Sequence, residues 1–181
     1  MKIYRLLKSL INIKKTTTFN VAEAIPYKLP DIAFKYITNQ NLKDVEDFRD
    51  KRYISTFRKF LDNDEKGLYG YYNGRCIVHG WVVYNTTFKT KKVCGYFKLP
   101  PKSCFIHFCN VAEDMRGKGI YKALLYQIYK RLCNGYNIYI DTGKNNFPAL
   151  KAIETSGAKR IFQLITINLR SHCIISFKKH E

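Results

Sequence analysis

Apolar residues recur along the chain in two rhythms, and the change from one to the other marks out its elements. Residues 1–13 place Ile3, Leu6, Leu7, Leu10 and Ile11 on one helical stripe. After Pro30, Ile32 to Ile37 reads as a strand. Asn39 to Asp64 alternates charges with Leu42, Val45, Phe48, Tyr53, Phe57 and Phe60, the spacing of one or two helices. Gly67 to Tyr72 and Arg75 to Tyr84 are β-rich runs joined by Asn73-Gly74, a dipeptide suited to a type I′ hairpin turn. Thr86 to Ser103 is polar and basic and ends in Pro100-Pro101, so it reads as an excursion between strands.

Cys104 to Val111 resumes as a strand. Gly117 to Cys133 is the clearest helix, with Ile120, Leu124, Leu125, Ile128 and Leu132 at helical spacing and Asn134-Gly135 to stop it. Tyr136 to Asp141 follows as a strand, and Phe147 to Ser156 as a helix closed by Gly157. Two strands, Arg160 to Leu169 and Cys173 to Lys178, end the chain. Helix and strand alternate in the middle, with hairpins at both ends. That order predicts a mixed α/β (α+β) single domain, a central sheet flanked by helices, over residues 31–181. Residues 1–30 read as a basic amphipathic segment packed on that domain or extending it.

Composition changes this picture in three places. No apolar run approaches the roughly 18–20 residues that span a membrane, and the N-terminus lacks the apolar region of a secretory signal, which points to the cytoplasm. Lys2, Arg5, Lys8, Lys14 and Lys15 leave peripheral membrane contact by residues 1–15 open, and the terminal strands leave a homodimer open. The net charge of +18 fits either a plainly basic surface or a field that gathers small polyanions. Because the basic residues are scattered rather than gathered in a stripe, a nucleic-acid surface is disfavoured. The six cysteines form no C-x-x-C pair and no histidine spacing matches them, so reduced thiols and no metal site are expected.

The chemistry concentrates at Asn110 to Tyr121. There a strand ends, a short acidic turn follows, and Gly117 and Gly119 open the long helix. The first amides of a helix have no internal partners and point outwards at the positive end of its dipole. Glycines let backbone approach a ligand closely, and Arg116 and Lys118 add charge at the mouth. Together these make a pyrophosphate site, although neither the Walker A pattern nor G-x-G-x-x-G is completed. A glycine-containing strand–helix turn with no ligand has the same local sequence.

Arg116-x-x-Gly119, with Val111 on the strand before it and Ala123-Leu124-Leu125 on the helix after it, resembles motif A of the GNAT N-acetyltransferases. Asn146-Phe-Pro148-Ala149, leading through Ile153-Glu154 to Gly157, resembles motif B of the same family. The resemblance covers roughly residues 31–178 and implies a GNAT-type sheet and acetyl-CoA as co-substrate. It implies Arg116, Gly117, Lys118, Gly119, Ile120 and Tyr121 at the pyrophosphate, and Asn110, Val111 and Asn146 along pantetheine. Two departures stand out. Tyr121 occupies a position that is small in the family, with its ring expected to point away. Ile153 occupies the position where many members carry a tyrosine that protonates the leaving thiolate.

Acyl transfer to an amine needs a base, and His107 is the candidate. Strict alternation along its strand would put His107, Cys109 and Val111 on one side, towards the thioester, and the arylalkylamine branch of the family has a histidine on the corresponding strand. A histidine merely satisfied within the sheet fits the same position. Asp141 and Glu154 are further candidates. His79, Trp81 and Tyr84 are candidate acceptor contacts, with core packing as the plainer role for each. The wording around both motifs is similar to acetyltransferases of bacterial surface-polysaccharide biosynthesis, which implies a small amine acceptor such as a nucleotide-linked amino sugar. A protein or peptide N-acetyltransferase, and a non-catalytic module binding coenzyme A or nucleic acid, are the competing readings.

Overall fold

The computed structural model describes residues 11–169 and 172–179; the predicted helical stripe of residues 1–10 lies outside them. Eight strands form one sheet in the order β10-β9-β1-β8-β7-β4-β3-β2. In chain order these are β1 (Ile11–Val21), β2 (Ala33–Tyr36), β3 (Lys66–Tyr72), β4 (Arg75–Asn85), β7 (Ser103–Val111), β8 (Asn137–Gly143), β9 (Ala158–Leu169) and β10 (His172–Lys179). All neighbours are antiparallel except β7 and β8, which run parallel and are joined through helix α2 (Ile120–Leu132). The fold class is the mixed α/β single domain that the hydrophobic pattern predicts.

Two elements differ from the pattern. Ile11–Val21, where the helical stripe ended, is a strand between β8 and β9. Its run of Thr16, Thr17 and Thr18 is β-branched, and all three pair with partners more than 120 residues away, so no local rhythm announces it. The basic excursion before Ser103 contains a second, two-stranded sheet, β5 (Lys91–Val93) and β6 (Phe97–Leu99). Residues 39–64 divide, as their spacing predicts, into two helical pieces: a 3-10 turn, Leu42–Asp47, and helix α1, Arg52–Asp62.

The two faces of the sheet are packed differently. On one face α2 and α3 (Phe147–Thr155) bury Ile120, Leu124, Leu125, Ile128, Leu150 and Ile153 against Val78, Val82, Ile106 and Ile140. On the other, α1 and the 3-10 turn cover Tyr69, Tyr71 and Trp81 with Phe57, Leu42 and Val45. The β5–β6 hairpin continues that second layer, setting Phe97 and Leu99 on Phe105, Phe162 and Leu164. Phe57 lies at its centre, with ring centroids of His79, Trp81 and Phe108 4.8, 5.0 and 5.9 Å away.

Candidate active site

The parallel pairing of β7 with β8 is short. It joins Ser103–Ile106 to Asn137–Ile140 and then stops. Beyond it β7 stays with β4 and β8 stays with β1, so the two strands part as the prongs of a fork. The cause lies in β7. Trp81 pairs with His107 and His79 with Asn110, so Phe108 and Cys109 oppose the single residue Gly80. Phe108 takes φ 50°, and a bulge of this kind bends its strand. Gly80 suits the position opposite it, because a Cβ there would crowd the Cys109 sulfur and the ends of Ile128 and Leu124, which would have to shift.

The bulge corrects the expected alternation. His107 and Phe108 both face α1, with ring centroids 5.2 and 5.4 Å from Phe60. Cys109 and Val111 instead pack towards the α2 side. The extra residue turns the strand over, so His107 and Cys109 lie on opposite faces.

His107 and Asp141 are the first residues of the two prongs beyond the last pair, Ile106 with Ile140. The structure therefore brings together the two candidate catalytic residues. Asp141 accepts hydrogen bonds from the hydroxyls of Thr16 (2.9 Å) and Tyr96 (3.1 Å to each oxygen). Burial pushes its carboxyl above the usual range, and those bonds and the charge of His107 only partly offset this. His107 Nε2 lies 2.8 Å from Glu65 Oε2, with 11% and 12% of the two side chains exposed. The pair is close but not collinear enough for an aligned hydrogen bond. Glu65 and Tyr96 have no place in either motif. Nothing local in the sequence marks them, since both arrive from other elements.

On the other side of the fork, the glycine loop has the predicted form. Gly117 and Gly119 take φ 77° and 75°, and Ala123 N–H is bonded to the Gly119 carbonyl. The amides of the first turn thus face outward. Arg116 and Lys118 are exposed, and Arg116 lies 3.6 Å from Glu113. A cleft of about 360 Å³ runs beside the loop, lined by Arg49, Arg75, Asn110, Val111, Ala112 and Arg116 among others. A larger groove, about 680 Å³, lies at the opposite end of α2, against Arg131, Leu132 and Asn134, away from the loop. Tyr27 is an unpredicted member of the loop: a Cβ on Gly119 would overlap its hydroxyl, and Lys122 Nζ stands 4.7 Å from its ring centre.

The remaining candidates separate. Tyr121, expected to point outwards, packs inwards towards Cys109; burial, then the neighbouring Cys109, Tyr129 and Asp141, hold its phenol protonated. Ile153 is fully buried in the core. The Asn146 side chain accepts from the Ala149 amide (3.4 Å) and caps α3. Glu154 is paired with Arg160 on the surface. His79 and Trp81 are completely buried behind the aromatic layer, so they shape the wall of the site without offering a surface to an acceptor. Tyr84 donates to the Leu132 carbonyl (2.9 Å) and borders the distant groove.

A family model, the acetyltransferase (GNAT) family, matches residues 32–158, well over half of the chain. The chain belongs to that family, whose members use acetyl-CoA. Comparison with curated proteins gives no match. Among solved structures, a GNAT-family acetyltransferase from Colwellia psychrerythraea is 14% identical with a TM-score of 0.63, over 93% of this chain and 61% of that one. A glucosamine N-acetyltransferase region of a fungal multi-domain β-N-acetylglucosaminidase is 14% identical, TM-score 0.58, over 90% and 22%. An aminoglycoside N-acetyltransferase holding a bisubstrate analogue of coenzyme A is 16% identical, TM-score 0.51, over 70% and 89%. These likenesses show the fold. The chain spans roughly three-fifths of the length of the first structures it matches. Among the described residues no helix is long and apolar enough to cross a membrane.

Proposed function

We propose that this chain transfers the acetyl group of acetyl-CoA directly to the amine of a small molecule, at the fork between β7 and β8. The observation that carries the reading is the pairing of two features. A positive-φ glycine loop opens α2 on one side, and His107 and Asp141 stand at the first positions of the fork on the other. The coenzyme's phosphates lie on the first amides of α2 with Arg116 and Lys118, and its pantetheine runs past Asn110 and Val111.

The acceptor nitrogen attacks the thioester carbonyl. Backbone amides on the open edge of β7, freed because β8 has turned away, stabilise the oxyanion. His107 takes the proton from nitrogen as the N–C bond forms and the C–S bond breaks. The Tyr121 hydroxyl, beside Cys109 on the other side of the fork, supplies a proton to the departing thiolate. It takes the role that Ile153 has no group to perform.

Amino sugars are the acceptor class we favour, including nucleotide-linked ones of surface-polysaccharide assembly. The +18 charge suits a polyanionic handle, and two of the solved structures of the same fold act, by their titles, on glucosamine or an aminoglycoside. The test is thiol release from acetyl-CoA with a panel of UDP- and dTDP-linked amino sugars, free glucosamine, aminoglycosides and peptide amines. Saturable turnover with an amino sugar supports the reading. Turnover with peptide amines alone moves the acceptor to protein. Coenzyme A binding with no turnover for any amine makes the chain a binding module.

A further inference from the structure

His107 has a carboxylate neighbour delivered by a helix ending. Helix α1 closes with Asp64 in the left-handed conformation, φ 59°. The Asp64 amide bonds the Leu61 carbonyl and the Glu65 amide reaches back to the Phe60 carbonyl, both at 3.0 Å. This is a Schellman-type closure, and it fixes Glu65 one residue before β3 enters the sheet. The side chain is thereby aimed across β4 at His107. Phe60, from the same last turn, sets its ring at 76° to the imidazole and holds the plane of that ring.

The two imidazole nitrogens are then unequal. Nε2 is sealed from solvent beside Glu65 Oε2, and when Nε2 holds the proton the acceptor lone pair is on Nδ1. A neutral imidazole carries one N–H, and a carboxylate 2.8 Å away favours placing it on Nε2. The same pairing lowers the cost of burying Glu65, whose Oε2 has no other partner. The other titratable groups near His107 are Asp141 and its partner Tyr96, Cys94, and, on the opposite face of the strand, the Cys109 thiol, which donates to the His107 carbonyl (3.6 Å). Cys94 is exposed as a residue, but desolvation of its sulfur, then the charges of Glu65 and Asp141, push its thiol up to about 12. Glu65 and Asp141 are therefore the carboxyl groups beside His107, one from the end of α1 and the other from β8.

We propose that Glu65 is a positioning residue for acyl transfer: its carboxylate keeps the proton on Nε2 of His107, so that Nδ1 receives the proton of the acceptor amine. The inference rests on His107 serving as the base. As the amine attacks, its proton moves to Nδ1, and the resulting imidazolium lies between Glu65 and Asp141 until solvent takes the proton away.

The experiment compares wild type, Glu65→Gln, Glu65→Asp and His107→Ala in acetyl-CoA thiol release across pH, with ¹⁵N NMR of the imidazoles. His107→Ala assigns the His107 signals. Wild-type His107 is expected as the Nε2–H tautomer. Glu65→Gln should lower kcat roughly 10- to 100-fold, part of the 10²–10⁴ that general-base catalysis supplies, with KM for acetyl-CoA unchanged. Glu65→Asp should restore part of kcat. A wild-type Nδ1–H tautomer overturns the inference even if both Glu65 variants misfold. So does a Glu65→Gln enzyme with wild-type kcat and pH profile while His107→Ala is inactive. Wild-type kcat/KM in His107→Ala overturns instead the assignment of the base on which the inference rests.

Discussion

The two sides of the fork are built on different principles. The proposed cofactor side is local: one strand end, one turn and one helix N-terminus within Asn110 to Tyr121, offering mainly backbone groups. The proposed acceptor side is assembled at long range. His107 comes from β7, Asp141 from β8, Glu65 from the end of α1, Tyr96 from the β5–β6 hairpin and Thr16 from β1. A backbone site tolerates changes of side chain but not of φ. A side-chain site depends on each member and on the charge it carries in a largely buried setting.

The largest expected effect falls on the acceptor side. His107→Ala should lower kcat/KM by roughly 10²–10⁴, the contribution of a general base, while acetyl-CoA binding measured by titration stays intact. An equal loss of cofactor affinity would show that the two sides are not separable.

Gly119→Ala is the matching change on the cofactor side. A left-handed φ costs an alanine about 1–2 kcal/mol, and its Cβ would meet the Tyr27 hydroxyl. Coenzyme A affinity should fall about tenfold, the equivalent of 1.4 kcal/mol, with kcat at saturation little changed. Adding Tyr27→Ala relieves the overlap but not the φ strain, so recovery should be partial. Full recovery would assign the whole effect to Tyr27.

Asp141→Asn separates charge from shape. Burial raises the Asp141 pKa, so its stabilising contribution is fully present below the ordinary carboxylate range and is lost as pH rises through the raised value. Asparagine still accepts from Thr16 and Tyr96 without the charge. At pH 7 the variant should melt higher, by about 2–4 °C per kcal/mol relieved, and the gain should close towards pH 4. A lower Tm at pH 7 would contradict the view that the charge is a net cost there.

The smallest effect concerns the wall behind the site. Burial, followed by the charge of Arg49, lowers the His79 pKa to about 3. The unfolded chain then binds this proton first as pH falls from about 6.5, so stability is lost between there and about 3. His79→Phe should flatten that part of the Tm profile. An unchanged slope would mean that His79 is charged in the fold.

The same contrast explains what the sequence made legible. Gly117, Gly119, the helix after them and Asn73-Gly74 announce themselves because the physics that places them acts over a few residues. Glu65 does not, because a non-glycine residue, Asp64, takes the left-handed position that ends α1. The bulge at Phe108 is equally silent: its cause is pairing with β4, so alternation along β7 misplaced Cys109 relative to His107. Strand β1 was hidden for the same reason, since its partners lie near the other end of the chain.

The central claim is that a glycine loop and a forked acid–base site act together in acetyl transfer. Its most direct test is free thiol released from acetyl-CoA, followed with and without an amino-sugar acceptor, in wild type and His107→Ala. The account predicts acceptor-dependent, saturable turnover in wild type and its loss in the variant, with acetyl-CoA still bound. Tight acetyl-CoA binding with no acceptor-dependent release from either protein would contradict it.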